Sequence, residues 1–173
     1  MKLKLISVIT MVACNCLPVI SHAADTTMTM TATVVASPCT VDSDSITKTI
    51  ALDGGNGLQA KDLQTAGATS AWVDFDINLK DCPAGTTQAV MTFSGTADDD
   101  DAANYKNTGT AKNIAVQLNE KGSGNQLSNG IAWTRDITSG TAQYSMSARA
   151  YTKNGGTTPG TVQAVVTASF TYQ

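Results

Sequence analysis

From Thr26 the side chains alternate: Thr26, Met28, Met30, Ala32 and Val34 share one face, and Thr27, Thr29, Thr31 and Thr33 share the other. A period of two in a run rich in β-branched residues predicts a half-buried strand. The same alternation returns in short runs: ITKTIAL at 46–52, AWVDFDINLKDC at 71–82, AVMTFSG at 89–95, IAVQLNE at 114–120, IAWTRDI at 131–137 and AQYSMSARAY at 142–151. The final run, GTVQAVVTASFTYQ, places Val162, Ala164, Val166, Ala168, Phe170 and Tyr172 on one side. Clusters of Gly, Asn, Asp, Ser and Pro separate the runs, and Asn154-Gly155-Gly156 reads as a turn. Nothing after residue 36 keeps a helical period for long. Several short strands with turn signals predict one antiparallel β-sandwich, and the long connections favour a Greek key over a meander.

The two ends of this pattern do not fit a closed sandwich. No tight-turn dipeptide follows the first strand to fold it back as a hairpin. The last strand reaches the final residue, which leaves its outer edge without a cover, and such edges invite another chain. A spare strand and an open edge together predict strand addition between molecules. The competing reading is that the first strand folds into its own sandwich.

Composition narrows the setting. Lys2 and Lys4 precede an apolar run to about Ile20, and Ser21-His22-Ala23 has the small-x-small form of a cleavage site. Residues 1–23 therefore read as an export signal, too short and too interrupted by Asn15 and Pro18 for a membrane span. A lipoprotein signal at Cys14 would leave too short an apolar stretch before the cysteine. Removal of the leader takes away Cys14, Cys16 and the single histidine, His22. Cys39 and Cys82 then remain, and a lone pair in an exported chain predicts one disulfide. Closing that loop contributes on the order of 4 kcal/mol by the chain-entropy estimate. Nine basic side chains face fourteen acidic ones, a balance that argues against nucleic acid and anionic membrane surfaces.

Candidate chemistry is sparse. Without a histidine the mature chain has no nucleophile–histidine–acid arrangement, and two thiols alone do not make a zinc site. Asp98 to Asp101 lack the spacing of a calcium loop and read as a solvated acidic loop. Asp74 and Asp76 read as outward positions on a half-exposed strand. Trp72 and Trp133 are expected to pack in the core or at an edge rather than stack on sugars. No metal, cofactor or small-molecule substrate is expected.

Four segments carry a family resemblance: TATVVASPCTV around Cys39, SAWVDFDINLKDCPAGT through Cys82, YKNTGTAKNI at 105–114, and NGGTTPGTVQAVVTASFTYQ at the end. Together they make the chain resemble the pilin subunits of chaperone–usher fimbriae, most closely the minor adaptor subunits of type 1 fimbriae. Gly160, fourteenth from the C-terminus, and penultimate Tyr172 match the family's terminal recognition motif. The resemblance implies an incomplete immunoglobulin-like sandwich at 37–173 lacking its last strand, preceded by a donor-strand extension at 24–36. It implies three partners: a periplasmic chaperone, an outer-membrane usher and neighbouring subunits. The donor side chains would be Thr26, Met28, Met30, Ala32 and Val34. The acceptor groove and chaperone surface would use Gly160, Val162, Ala164, Val166, Ala168, Phe170 and Tyr172. Relatives commonly have glycine at the place of Ala32, whose added methyl implies either a tighter fit or a larger pocket in the partner. The expected role is a non-enzymatic structural subunit on the cell surface. A major rod-type subunit is the near alternative. A sugar-binding adhesin is disfavoured because two-domain adhesins carry an extra lectin domain.

Overall fold

The computed structural model describes residues 31–32 and 37–173. The predicted leader and the donor positions Thr26, Met28, Met30 and Val34 lie outside the described residues, whereas Ala32 is described and exposed. Two compact units divide the chain at Thr33/Val34, and the architecture below is that of the second.

Two residues, Thr40–Val41, form β1, followed by the single-turn helix α1 (Ser43–Ile46) and a 3-10 turn at Ala60–Leu63. Then come β2 (Val73–Lys80), β3 (Gln88–Gly95), β4 (Tyr105–Lys106), β5 (Ala115–Glu120), β6 (Ala132–Asp136), β7 (Ala142–Tyr151) and β8 (Val166–Tyr172). The runs predicted for β2, β3, β5, β6 and β7 match to within about two residues. ITKTIAL does not form the expected strand. Its first residue ends α1, whose Asp42 cap accepts a hydrogen bond from the Ser43 amide, and residues 47–52 join no ladder among the described residues. Ile50 and Leu52 still pack against the core. Alternation records which face is buried, but a strand also needs a neighbour for its backbone.

The strands form two antiparallel sheets, one in the order β1-β2-β7-β5-β4 and one in the order β6-β3-β8. Sequence neighbours are often separated in space: β2 pairs with β7 from Val73↔Ala148 to Leu79↔Ala142. Leu79, Val116, Leu118, Tyr144, Met146 and Ala148 from the larger sheet share one buried cluster with Ala89, Met91 and Phe93 from the smaller. The result is an immunoglobulin-like sandwich whose second sheet has only three strands. The Cys39–Cys82 disulfide, predicted from the cysteine count, ties the start of β1 to the residues just after β2, with Cα atoms 4.2 Å apart.

One tyrosine bonds from sheet to sheet, and a second holds the loop after β5. Tyr144 of β7 is fully buried and donates its hydroxyl proton to the Ala89 carbonyl of β3 at 2.7 Å. Tyr105 of β4 donates to the Leu127 carbonyl at 2.8 Å. Burial pushes both phenols from the ordinary 10 up to about 12, because an apolar surrounding disfavours the phenolate. A raised folded-state value means that this stabilisation is intact below pH 10 and lost as pH climbs from 10 towards 12. Urea midpoints measured across that range should fall steeply, and Tyr144→Phe, by removing one of the raised phenols, should make the fall shallower.

Candidate functional site

β8 pairs with β3 through seven residues, from Ala89↔Tyr172 to Gly95↔Val166. Its other edge has no partner among the described residues. Register places Val166, Ala168, Phe170 and Tyr172 on the same face as Gly95, Phe93, Met91 and Ala89, which is the core face. Phe93, Met91 and Ala89 are 2%, 0% and 0% exposed, yet every inward residue of β8 is only half-buried. Among the described residues the smaller sheet is thus sealed at its centre and open along β8.

Two contacts fix which side of the sandwich is open. Arg135 of β6 reaches Glu120 of β5, and the Tyr172 phenol lies beside the backbone of Cys39, just before β1. β6 therefore lies over the β5 side, and β8 over the β1–β2 side. On that side the core-facing residues of the other wall are also half-buried: Phe75 and Ile77 of β2, and Ile50 and Leu52 of the unpaired 47–52 segment. Between them runs a groove with apolar walls. Aromatic contacts link it to the interior. The Trp133 and Tyr144 rings meet edge-on at 5.1 Å, Tyr144 and Phe170 at 5.8 Å, and Phe170 and Tyr172 stack at 6.5 Å.

The groove is anchored at both ends. At the C-terminus, the Gln173 carbonyl accepts from the Thr87 and Gln88 amides at 2.6 and 3.0 Å, and the Gln173 amide donates to the Gln88 carbonyl at 2.9 Å. At the other end, residues 160–163 are clamped by the 107–111 loop. The Asn107 carboxamide oxygen accepts from the Gln163 amide at 2.7 Å, the Thr108 amide donates to the Gln163 carbonyl at 2.8 Å, and the Thr161 amide donates to the Thr110 hydroxyl at 2.9 Å. The backbones come so close that a Cβ on Gly160 would overlap the Ala111 nitrogen, and one on Gly109 would overlap the Thr161 carbonyl oxygen. Beside this clamp Leu58, Leu63, Ala111, Ile114, Pro159 and Val162 border a cavity of about 40 Å³. Val162 packs against both this satellite cluster and the main core.

The predicted acceptor residues thus fall on one face. Val166, Ala168, Phe170 and Tyr172 lie on β8, Val162 and Ala164 continue it as non-ladder chain, and Gly160 marks the clamp. The opposite wall is new: Ile50, Leu52, Phe75 and Ile77 are visible in the sequence as alternating apolar positions but not as groove residues. Gly109 gives no signal beyond its place in YKNTGTA. The acidic loop is locally satisfied. Asp98 accepts from the Asp100 and Asp101 amides at 3.1 and 3.2 Å, and Asp99 pairs with Lys106. Asp74 faces outward to Ser147 and Lys121, and the Ser147 hydrogen bond leads in holding its carboxyl below the ordinary range.

Gly109→Ala and Gly160→Ala should each destabilise by about 1–3 kcal/mol, the usual cost of forcing atoms into a packed contact. Denaturant unfolding checks both. Loss of the clamp without loss of the core should leave the Cys39–Cys82 disulfide formed.

The sequence profile of the family described as "Fimbrial protein" matches residues 27–173. The protein FimG of Escherichia coli strain K12 is 43% identical over 153 residues, 87% of each chain. The S-fimbrial adhesin protein SfaS of Escherichia coli strain 536 is 36% identical over 173 residues, 99% of each chain. Among solved structures, the P pilus rod subunit PapA superposes with a TM-score of 0.67 at 20% identity, covering 79% of this chain and all of that one. That likeness carries the fold.

Proposed function

We propose that this chain, which belongs to the fimbrial protein family, is a minor adaptor-type subunit that joins its neighbours by exchanging strands. The observation that carries the reading is β8: its core face is apolar and half-covered, and its outer edge lacks a partner among the described residues. An incoming strand supplies what β8 lacks, namely a second hydrogen-bonded ladder and apolar side chains for the groove. Burying four or five such side chains at ~1.5–3 kcal/mol each gives a gross gain near 10 kcal/mol before ordering costs. The joint is long-lived without covalent chemistry, and the chain works as a structural part rather than an enzyme.

In this reading residues 1–23 direct export and are removed. Residues 24–36 are the strand given to the preceding subunit, with Thr26, Met28, Met30, Ala32 and Val34 entering its groove. Residues 37–173 receive the next subunit's strand along Val162–Tyr172. A periplasmic chaperone fills the groove until then, an outer-membrane usher guides the exchange, and the product stands on the cell surface. The disulfide suits the oxidising compartment on that route.

One observation favours a second reading, adhesion by the subunit itself. SfaS bears the name adhesin and spans the same length as this chain, so a separate lectin domain is not a requirement of size. A glycan array on the purified subunit distinguishes the two: sugar-dependent retention supports the adhesive role, and none is expected of an adaptor.

Deletion of residues 24–36 should leave a disulfide-bonded domain that still co-purifies with its chaperone but is not added to fibres, as followed by SDS-resistant complexes of cell-surface material. Normal incorporation would overturn the role of that stretch. Tyr172→Ala, by opening the groove beside Phe170, should lower recovery of the chaperone complex several-fold.

A further inference from the structure

The smaller sheet has two long edges of opposite chemistry, and we propose that the Arg135–Glu120 pair closes the β6 edge to strand addition, leaving β8 as the edge that accepts a partner. The inference rests on the strand-exchange reading above and concerns how that exchange is confined to one edge.

β6 pairs with β3 through five residues, Gln88↔Asp136 to Thr92↔Ala132, and its other edge is unpaired among the described residues. By backbone alone it is as open to a visiting strand as β8. β1 and β4, the edge strands of the larger sheet, have two residues each and offer little template. Side chains separate β6 from β8. Register sets Arg135 opposite Ala89 and Trp133 opposite Met91, so both point between the sheets. Arg135 crosses the interior edge to place a guanidinium nitrogen 3.2 Å from Glu120 Oε1, and its guanidinium lies 4.6 Å from the centre of the Trp133 ring. The second oxygen of Glu120 accepts from Ser123 Oγ at 2.9 Å and Asn125 Nδ2 at 3.0 Å. These bonds fix the carboxylate in place. Water still reaches the pair: the side chains are 40% and 17% exposed. Arg135 Nε is already buried without a hydrogen-bond partner.

A strand laid along β6 would strip the remaining water from a cation that has no spare acceptor. Desolvating an ion pair costs more than its attraction returns unless every donor is satisfied. The same event at β8 covers Val166, Ala168, Phe170 and Tyr172, and is favourable. An inward-pointing charge on an edge strand is a known barrier to edge-to-edge pairing. Here it gives the subunit one receptive side and one closed side.

The test uses the full exported chain with a reporter cysteine on each edge, Thr134→Cys for β6 and Ser169→Cys for β8, both at exposed positions. Each is combined with native Arg135, with Arg135→Lys, with Arg135→Met, and with Arg135→Val/Glu120→Gln. Cys39–Cys82 formation and a thermal melt verify folding. Chains that keep a cation at position 135, arginine or lysine, should show little disulfide-linked dimer through the β6 reporter, whereas Arg135→Met and the double variant should show several-fold more. Equal linkage in all four backgrounds, or abundant linkage with Arg135 intact, overturns the proposal. The β8 reporter reads the underlying function separately. With Thr29→Cys added to the donor stretch as the partner thiol, absence of species linked through the β8 reporter in every background would count against strand exchange, and the β6 reporter series would still decide the state of β6.

Discussion

Among the described residues β8 is held by one backbone ladder where a strand above a core ordinarily has two, and the other features of the second sheet follow from that deficit. Three strands do not cover the apolar face that the five-stranded sheet presents, so the uncovered remainder collects on one side. The molecule nevertheless keeps β8 in register. Seven pairs with β3, the Gln173 bonds to Thr87 and Gln88, the Tyr172–Cys39 contact beside the disulfide, and the 107–111 clamp together fix both ends and the inner edge. Among the described residues, what stays free is the outer edge with its half-covered row. The incomplete strand is anchored everywhere except where a visitor would bind.

The two sides of the sandwich are chemically unlike. From β6 to β8 the interior contacts pass from Trp133, covered by Arg135, through buried Tyr144 to half-exposed Phe170 and Tyr172. One end of that row is finished by an ion pair and the other, among the described residues, by nothing. A family member that assembles head to tail needs such asymmetry, since two equally receptive edges on one subunit would branch or mispair.

Much of this was legible in the sequence because alternation reports burial. The runs at 71–82, 89–95, 114–120, 131–137 and 142–151 became strands, and the cysteine pair became a disulfide. ITKTIAL failed for a physical reason. Ile50 and Leu52 pack against the core as the pattern requires, but among the described residues no strand lies beside them to form a ladder, and residues 160–163 bond instead to the 107–111 loop. Gly109 and Gly160 illustrate the opposite limit. The need for glycine arises from a close approach between segments about fifty residues apart, which local pattern does not record. IAWTRDI did contain a usable signal, because Arg135 stands on the same alternating face as Trp133 and so had to point inward. Chain length bears less on adhesion than it first suggests, as a relative of equal length bears an adhesin's name.

The exposed apolar row has consequences for the isolated domain and for the fibre that cannot be separated. Each half-buried side chain on β8 is a contact that the lone domain lacks, since apolar area left in water contributes nothing to its stability. In the proposed strand exchange the same area is what an incoming strand would remove from water, so the deficit of the domain would be the driving force of the joint. Polar substitution along the row would make the lone subunit easier to keep in solution and the fibre easier to pull apart. Filling the row from within the chain would stabilise the subunit and leave nothing to bind. A sequence under selection for assembly therefore has to keep Val166, Ala168, Phe170 and Tyr172 apolar and incompletely covered, and to concentrate its compensating contacts at the two ends of the groove.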